Sequence, residues 1–180
     1  MKPIRGAHFS PCRRWRYALW RFWALRPSLH FCMLNPSTAD EEANDPTVER
    51  CERRAREWGY GGLIVTNIFA WRSTDPRALL EIADPIGPEN DAVILRAYLA
   101  ARDTICAWGT HGRKRGVELV SGALSGRCLY ALALTNDGTP GHPLYLPYTN
   151  EPIPYRSAPT WKRPGPPQCE RATQLNLLEG

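Results

Sequence analysis

From Trp15 to Trp23 the chain alternates, with Trp15, Tyr17, Leu19, Arg21 and Trp23 on one side and Arg16, Ala18, Trp20 and Phe22 on the other. That period of two predicts a strand. Four more short apolar runs follow, at 29–34, 62–69, 104–108 and 128–134, each suited to a sheet covered on both faces. Between them lie helical signals. Asp45-Pro46 reads as an N-cap with proline at the first helical position, Val48, Cys51, Ala55 and Trp58 recur at spacings of three and four, and Gly59 offers a stop. Asp75-Pro76 repeats the start signal ahead of Ala78, Leu79 and Leu80, and residues 89–101 and 113–124 supply two further helices. Strands alternating with helices predict an α/β fold: a three-layer α/β/α domain around a mainly parallel sheet of about four strands, plus the N-terminal strand.

After His142 the pattern dissolves. Pro143, Pro147, Pro152, Pro154, Pro159, Pro164, Pro166 and Pro167 oppose regular ladders and helices, so residues 1–150 are expected to form one domain and 151–180 an irregular strap or tail. A length of 180 residues suits a single core and is short for two ordinary domains. No run approaches the roughly 20 apolar residues of a membrane span, and the N-terminus has no apolar stretch leading to a small-residue cleavage site. A cytoplasmic, soluble monomer that does not engage membranes is the expectation. The six cysteines (Cys12, Cys32, Cys51, Cys106, Cys128 and Cys169) lie far apart, without a CxxC or CxH pair. They read as free thiols, with no metal and no cofactor expected.

The net charge of +5 changes this picture once it is located. No acidic residue precedes Asp40, whereas Lys2, Arg5, Arg13, Arg14, Arg16, Arg21 and Arg26 do; the rest of the chain carries 16 basic and 18 acidic side chains. Phe9, Trp15, Tyr17, Trp20, Phe22, Trp23 and Phe31 are interleaved with the arginines. Cations that neutralise phosphates beside flat π surfaces suit nucleic acid, with Arg13, Arg14 and Arg16 as leading DNA contacts. The alternative is a basic strand whose aromatics belong to the core.

Ligands of an open parallel sheet bind beyond the carboxyl ends of its strands, and the residues there form a set. The first run leads into Asn35-Pro36-Ser37-Thr38-Ala39-Asp40. The second carries Asn67 within an apolar stretch that ends at Phe69. The third ends in Trp108-Gly109-Thr110-His111-Gly112, with Arg113 and Lys114 beyond it, and the fourth precedes His142-Pro143-Leu144-Tyr145. Each has a plainer reading: Ser37 or Thr38 as a helix cap, Trp108-Gly109 as a strand end, His142 as a surface loop residue. Asn67 is harder to set aside, because a carboxamide inside an apolar strand costs desolvation unless its donors and acceptor are all satisfied.

The order of these clusters resembles the uracil-DNA glycosylase superfamily, especially the mismatch-specific branch, whose first motif has Asn before Pro. The strings Met33-Leu34-Asn35-Pro36-Ser37-Thr38-Ala39-Asp40, Asp45-Pro46-Thr47, Trp58-Gly59-Tyr60-Gly61-Gly62 and Gly141-His142-Pro143-Leu144-Tyr145 are similar to a bacterial and phage family catalogued as domain of unknown function 1643, over about residues 15–150. The glycosylase resemblance implies a DNA glycosylase that flips out a modified or mismatched pyrimidine and leaves an abasic site. Asn35 would hold the attacking water. Asn67 would read the base edge, with Phe69, Ser37 or Trp108 lining the base pocket, and His142 would donate to the oxyanion developing on the leaving base. Leu144 and Tyr145 would wedge into the vacated stack, and Arg13, Arg14, Arg16, His111, Arg113 and Lys114 would hold DNA. The water-activating carboxylate of the classical enzymes is absent from the first motif. Asp40 or Asp45 could supply one, and a hypermodified base such as glucosylated hydroxymethylcytosine is as open as plain uracil. A non-catalytic nucleic-acid-binding module and a hydrolase of free nucleotides remain alternatives.

Overall fold

The computed structural model describes residues 2–165. The alternating segment forms β2 (Arg16–Phe22), preceded by β1 (Ile4–Phe9) and followed by β3 (Ser28–Met33), α1 (Pro46–Glu57), β4 (Gly62–Asn67), α2 (Asn90–Ala100), β5 (Asp103–Cys106), α3 (Arg113–Ser121), β6 (Leu129–Ala131) and β7 (Ile153–Arg156). The cap signal at Asp45 is realised as expected: its carboxylate accepts the backbone N–H groups of Thr47 and Val48 at 3.0 and 2.9 Å, with Pro46 opening the helix. The matching signal at Asp75 yields only a short 3₁₀ turn, Pro76–Glu81, rather than an α-helix. Leu80 there is 90% exposed, so an extended helix would have little apolar face to bury.

The seven strands form one sheet in the order β1-β2-β4-β3-β5-β6-β7. This corrects the expectation of a mainly parallel sheet of about four strands. The pairings of β3 with β4, β3 with β5 and β5 with β6 are parallel, while those of β1 with β2, β2 with β4 and β6 with β7 are antiparallel. Residues 10–15 are too few for a crossover, so β1 and β2 pair as a hairpin. β2, the strand read from the alternating segment, lies inside the sheet and is buried along its whole length, with β1 at the edge. A ladder also forms in the proline-rich stretch, contrary to expectation. There β7 is an edge strand, where Pro154 can sit without interrupting pairing on a second side.

Alternation along the strands divides the core. Leu29, Phe31, Leu63 and Val65 pack with Val48, Cys51 and Ala55 of α1. On the opposite face Ile64 meets Val93 and Ala97 of α2, while Cys32 and Cys106 meet Ile94 and Leu119, so α2 and α3 cover that side. Trp58 and Trp161 meet edge to face at 5.3 Å, and the Trp161 indole N–H donates to the Tyr60 hydroxyl at 3.1 Å, pinning the segment after β7 to the α1 side.

One buried polar residue was not singled out by the sequence pattern. His30 is fully buried in β3 between the hydroxyls of Thr66 and Thr104, at 2.8 and 3.1 Å, and burial pushes its pKa from 6.5 down to about 3. A folded pKa below the unfolded value gives stability that is complete above pH 6.5 and is lost as the pH falls through about 3. Urea midpoints are therefore expected to fall steadily from pH 6.5 to pH 4, with a shallower fall in His30→Gln. A midpoint unchanged across that range would rule out this linkage.

Candidate functional site

The parallel strands β4, β3, β5 and β6 bring their carboxyl ends to one edge, and the polar clusters meet there. Met33 is the register partner of Asn67, which puts Asn35 two residues beyond that pair. The Asn35 amide donates to the carbonyls of Ser73, at 2.7 Å, and Pro36, at 3.2 Å, while the Ser73 N–H returns a bond to the Pro36 carbonyl. These bonds tie the loop after β3 to the loop after β4. They use both amide protons of Asn35, so what it has left to offer a ligand is its carbonyl oxygen, an acceptor.

Asn67 is 1% exposed. Its side-chain oxygen accepts from Arg16 Nη2 at 3.3 Å and its backbone carbonyl accepts from the Asn90 amide at 2.9 Å, whereas its own Nδ2 is buried without a partner. An unused amide donor in such a place costs about 1–3 kcal/mol.

Arg16 is corrected by its surroundings. It is 2% exposed, donates to the Ala39 carbonyl at 2.7 Å as well as to Asn67, and burial lowers its pKa to about 10. It braces the site from inside and offers no surface to a phosphate. Arg21 does the same one turn of loop away, donating to the carbonyls of Asp40 and Ala43 and to the Asn44 side chain. Arg5 holds the Glu42 carbonyl at 2.9 Å, Arg26 holds that of Gly59 at 3.1 Å, and Arg13 is paired with Glu41 at 2.8 Å over the Phe9 ring. Of the N-terminal positive block, Arg5, Arg13, Arg16 and Arg21 therefore clamp the 39–44 loop, but only Arg16 and Arg21 are buried, and Lys2, Arg5, Arg13 and Arg14 are exposed. Its aromatics Tyr17, Trp20, Phe22 and Phe31 are core residues.

Trp108 is corrected too. It is 1% exposed and its ring lies close against α3, where a Cβ on Gly116 would come within 2.3 Å of it. It is part of the core and cannot stack on a base. Gly109, at φ +69, turns the chain away just after it, in the left-handed region that favours glycine. Its N–H donates to the Pro140 carbonyl at 2.9 Å, and this bond carries the His142 turn to the same edge. Phe69 and Ser37 are half-buried in the loops there.

His142 opens a 3₁₀ turn, Pro143–Tyr145, and its Nδ1 accepts the Leu144 N–H at 3.4 Å. Acceptance at Nδ1 places the ring proton on Nε2. Burial lowers the imidazole pKa from 6.5 to about 4, with the Asp45 charge opposing that shift only in part. Above pH 5 the ring is thus a neutral donor. Of the two carboxylates in question, Asp40 has one oxygen committed to the N–H groups of Glu42 and Ala43, and those backbone bonds hold its pKa below the usual range. Asp45 is 6% exposed, and its charge acts on both His142 and Arg16. Asp40 also acts on Arg16, and of the two carboxylates Asp45 is the one that acts on His142.

Sequence reasoning missed what holds the His142 turn. Arg50 donates to the carbonyls of Pro143 and Leu146 at 3.1 and 2.7 Å, and fully buried Arg54 donates to those of Leu146, Pro147, Tyr148 and Asn150 at 2.7–3.3 Å. Their spacing of four on α1 was the available signal, since it places both on one helix face. Of the remaining expected DNA contacts, Arg14, His111 and Lys114 are exposed, Arg113 pairs with Asp137 at 3.0 Å, Leu144 is half-buried and Tyr145 is 81% exposed.

Residues 16–144 match the family described as "Protein of unknown function (DUF1643)". The chain belongs to that family. The DUF1643 match begins with β2 and ends on the His142 turn, so it contains Arg16, Asn35, Asp45, Asn67 and His142 while leaving β1 and β7 outside. No curated protein and no solved structure matches the chain. Among the described residues, no helix is long and apolar enough to cross a membrane, and no group of three or more His, Cys, Asp or Glu side chains is placed to hold a metal ion.

Proposed function

We propose that this DUF1643 protein is a monofunctional DNA glycosylase, with a uracil-DNA glycosylase-like three-layer arrangement, acting on a flipped-out modified or mismatched pyrimidine. The observation that carries the reading is His142: a neutral imidazole whose Nδ1 is occupied by the Leu144 N–H, leaving Nε2–H free to donate, on the edge where Asn67 keeps a buried amide donor unused. Breaking the bond from C1′ to the base nitrogen sends its electron pair into the base, and negative charge builds on a carbonyl oxygen of the base. A preorganised neutral donor binds that charge more tightly than it binds the ground-state carbonyl, which lowers the barrier. Asn67 Nδ2 suits a base carbonyl oxygen.

On the sugar side, the Asn35 oxygen can accept a hydrogen bond from the water that attacks C1′, orienting it without deprotonating it. The anionic Asp45 favours the positive charge that develops on the sugar ring. The water's oxygen ends on C1′, and its proton goes to solvent or to the departing base. Tyr145, exposed three residues beyond His142, is where a wedge into a base stack would have to be.

A second reading is favoured by the burial of Arg16 and Arg21, which takes two of the seven N-terminal cations away from a DNA-binding surface: an N-glycoside hydrolase of free nucleotides. The test is a panel of duplexes carrying uracil, mismatched thymine, hydroxymethylated or glucosylated cytosine, alongside the matching free nucleotides, with released bases read by mass spectrometry. Base release from at least one duplex, followed by alkali-labile breaks, is expected. Release from free nucleotides alone would establish the second reading, and a folded protein that releases nothing would refute both.

A further inference from the structure

We propose that the cleft between α3 and β7 is a phosphate subsite, seating a phosphate of the nucleotide unit whose base reaches His142. The proposal deepens the glycosidic reading above and rests on it for the identity of that unit. The cleft holds about 200 Å³, with Trp108 in its lining, Val117 and Leu134 as apolar walls, and guanidinium groups on two different elements, Arg113 opening α3 and Arg156 ending β7.

The two cations are held differently. Arg156 lies over the Tyr155 ring at 4.5 Å and donates to the Tyr155 carbonyl at 3.3 Å, and it has no carboxylate partner among the described residues. Arg113 is paired through Nη1 with Asp137 Oδ2 at 3.0 Å. That carboxylate is committed elsewhere as well: its other oxygen accepts from the Thr135 hydroxyl and, at 3.2 Å, from the Thr139 N–H, and these bonds hold its pKa below the usual range. Asp137 therefore orients Arg113 through one nitrogen and leaves the others for an anion. Two guanidiniums fixed by stacking and by an ion pair match the tetrahedral array of oxygens on a phosphate.

A third group points the same way. Thr139, 3% exposed and also lining the cleft, has a hydroxyl with no hydrogen-bond partner. A buried hydroxyl left unsatisfied costs stability unless a ligand completes it. The placement also suits the reading above. Pro140 lines the cleft, accepts the Gly109 N–H, and precedes His142 by two residues, at most about 7 Å of chain. A phosphate in the cleft and a base at His142 can therefore belong to one nucleotide unit.

The test uses the full chain, with a fluorescein-labelled 12-nucleotide thymidylate strand followed by anisotropy over a salt series and thymidine monophosphate followed by calorimetry. Arg156→Gln and Arg113→Gln are expected to weaken strand binding about tenfold each and to reduce the salt slope by about 0.7, the value for one phosphate contact on a single strand. Thr139→Val should weaken it less, and Arg53→Gln, across the sheet on α1, should leave it unchanged. Weakening confined to the strand identifies a phosphodiester as the occupant, and equal weakening with the monophosphate identifies a free nucleotide; either supports the subsite. Base release together with an unaltered salt slope in Arg156→Gln overturns the subsite and leaves the glycosidic reading standing. Binding that depends on Arg156 without base release from any substrate supports the subsite and overturns that reading.

Discussion

His142→Ala is expected to lower the rate of base release about 10²–10³-fold while leaving the melting temperature close to that of the parent, because removing one preorganised donor to a developing oxyanion costs about 3–4 kcal/mol of barrier. The turn itself is held mainly by Arg50 and Arg54, which bond backbone carbonyls and do not touch the imidazole. His142→Gln, which keeps an N–H donor at comparable reach, should recover part of the loss. The pH profile separates this role from general acid catalysis by an imidazolium. With the folded pKa near 4, the ring is already neutral at pH 5.5, so the His142 limb should be flat from there to pH 8; an acid of ordinary pKa would lose its effect as the pH rises through 6.5. A ¹⁵N spectrum at pH 7 should show the proton on Nε2. A rate in His142→Ala within threefold of the parent would remove the proposed role, as would a bell centred on pH 6.5.

The sequence shows the skeleton of this fold more clearly than its wiring. Runs of Val, Ile, Leu and Cys bounded by Gly and Pro locate β3 through β6, and Asp45-Pro46 locates the start of α1 to the residue, because these signals depend on local backbone chemistry. The two outermost strands escape. In β1 the residues Arg5, Gly6 and His8 disguise any alternation, and in β7 a proline stands where only an edge position tolerates it; both strands exist because of partners far along the chain.

The candidate site divides in the same way. Asn35, Asn67 and His142 are visible as polar residues at strand ends, and the topology brings those ends to one edge. Arg16 is misplaced by sequence reasoning for a physical reason. A strand buried on both faces makes no distinction between a side chain that reaches solvent and one that turns under a loop, and Arg16 finds the Ala39 carbonyl and Asn67 inside. A positive charge in the sequence is evidence of a surface cation only when no carbonyl-rich loop lies within the reach of its side chain. The 39–44 loop supplies those carbonyls to Arg16 and Arg21, and its folding could not be read from local pattern.

Arg54→Met is expected to lower stability by about 3 kcal/mol, seen as a fall in melting temperature of about 6–12 °C for a chain of this size. Methionine fills much of the volume and keeps the helix, so the change reports chiefly on hydrogen bonding. It strips the carbonyls of Leu146, Pro147, Tyr148 and Asn150 of their shared donor, and the proline-rich segment has few N–H groups of its own with which to replace it. Leu146 keeps a second donor, Arg50 Nη2 at 2.7 Å, and Pro147 keeps the Asn150 N–H at 3.2 Å, which leaves Tyr148 and Asn150 without a replacement among these bonds. Arg54→Lys should recover only a small part, since one ammonium cannot reach four carbonyls in the fixed fork that a guanidinium provides. The loss should also be felt at His142. Once the turn loosens and water reaches the ring, the desolvation that lowers its pKa fades, so an NMR titration of Arg54→Met should place His142 well above 4 and closer to 6.5. A melting temperature within 2 °C of the parent would show that the segment is held by other contacts, and a His142 titration still centred near 4 would show that the turn does not depend on α1 for its burial.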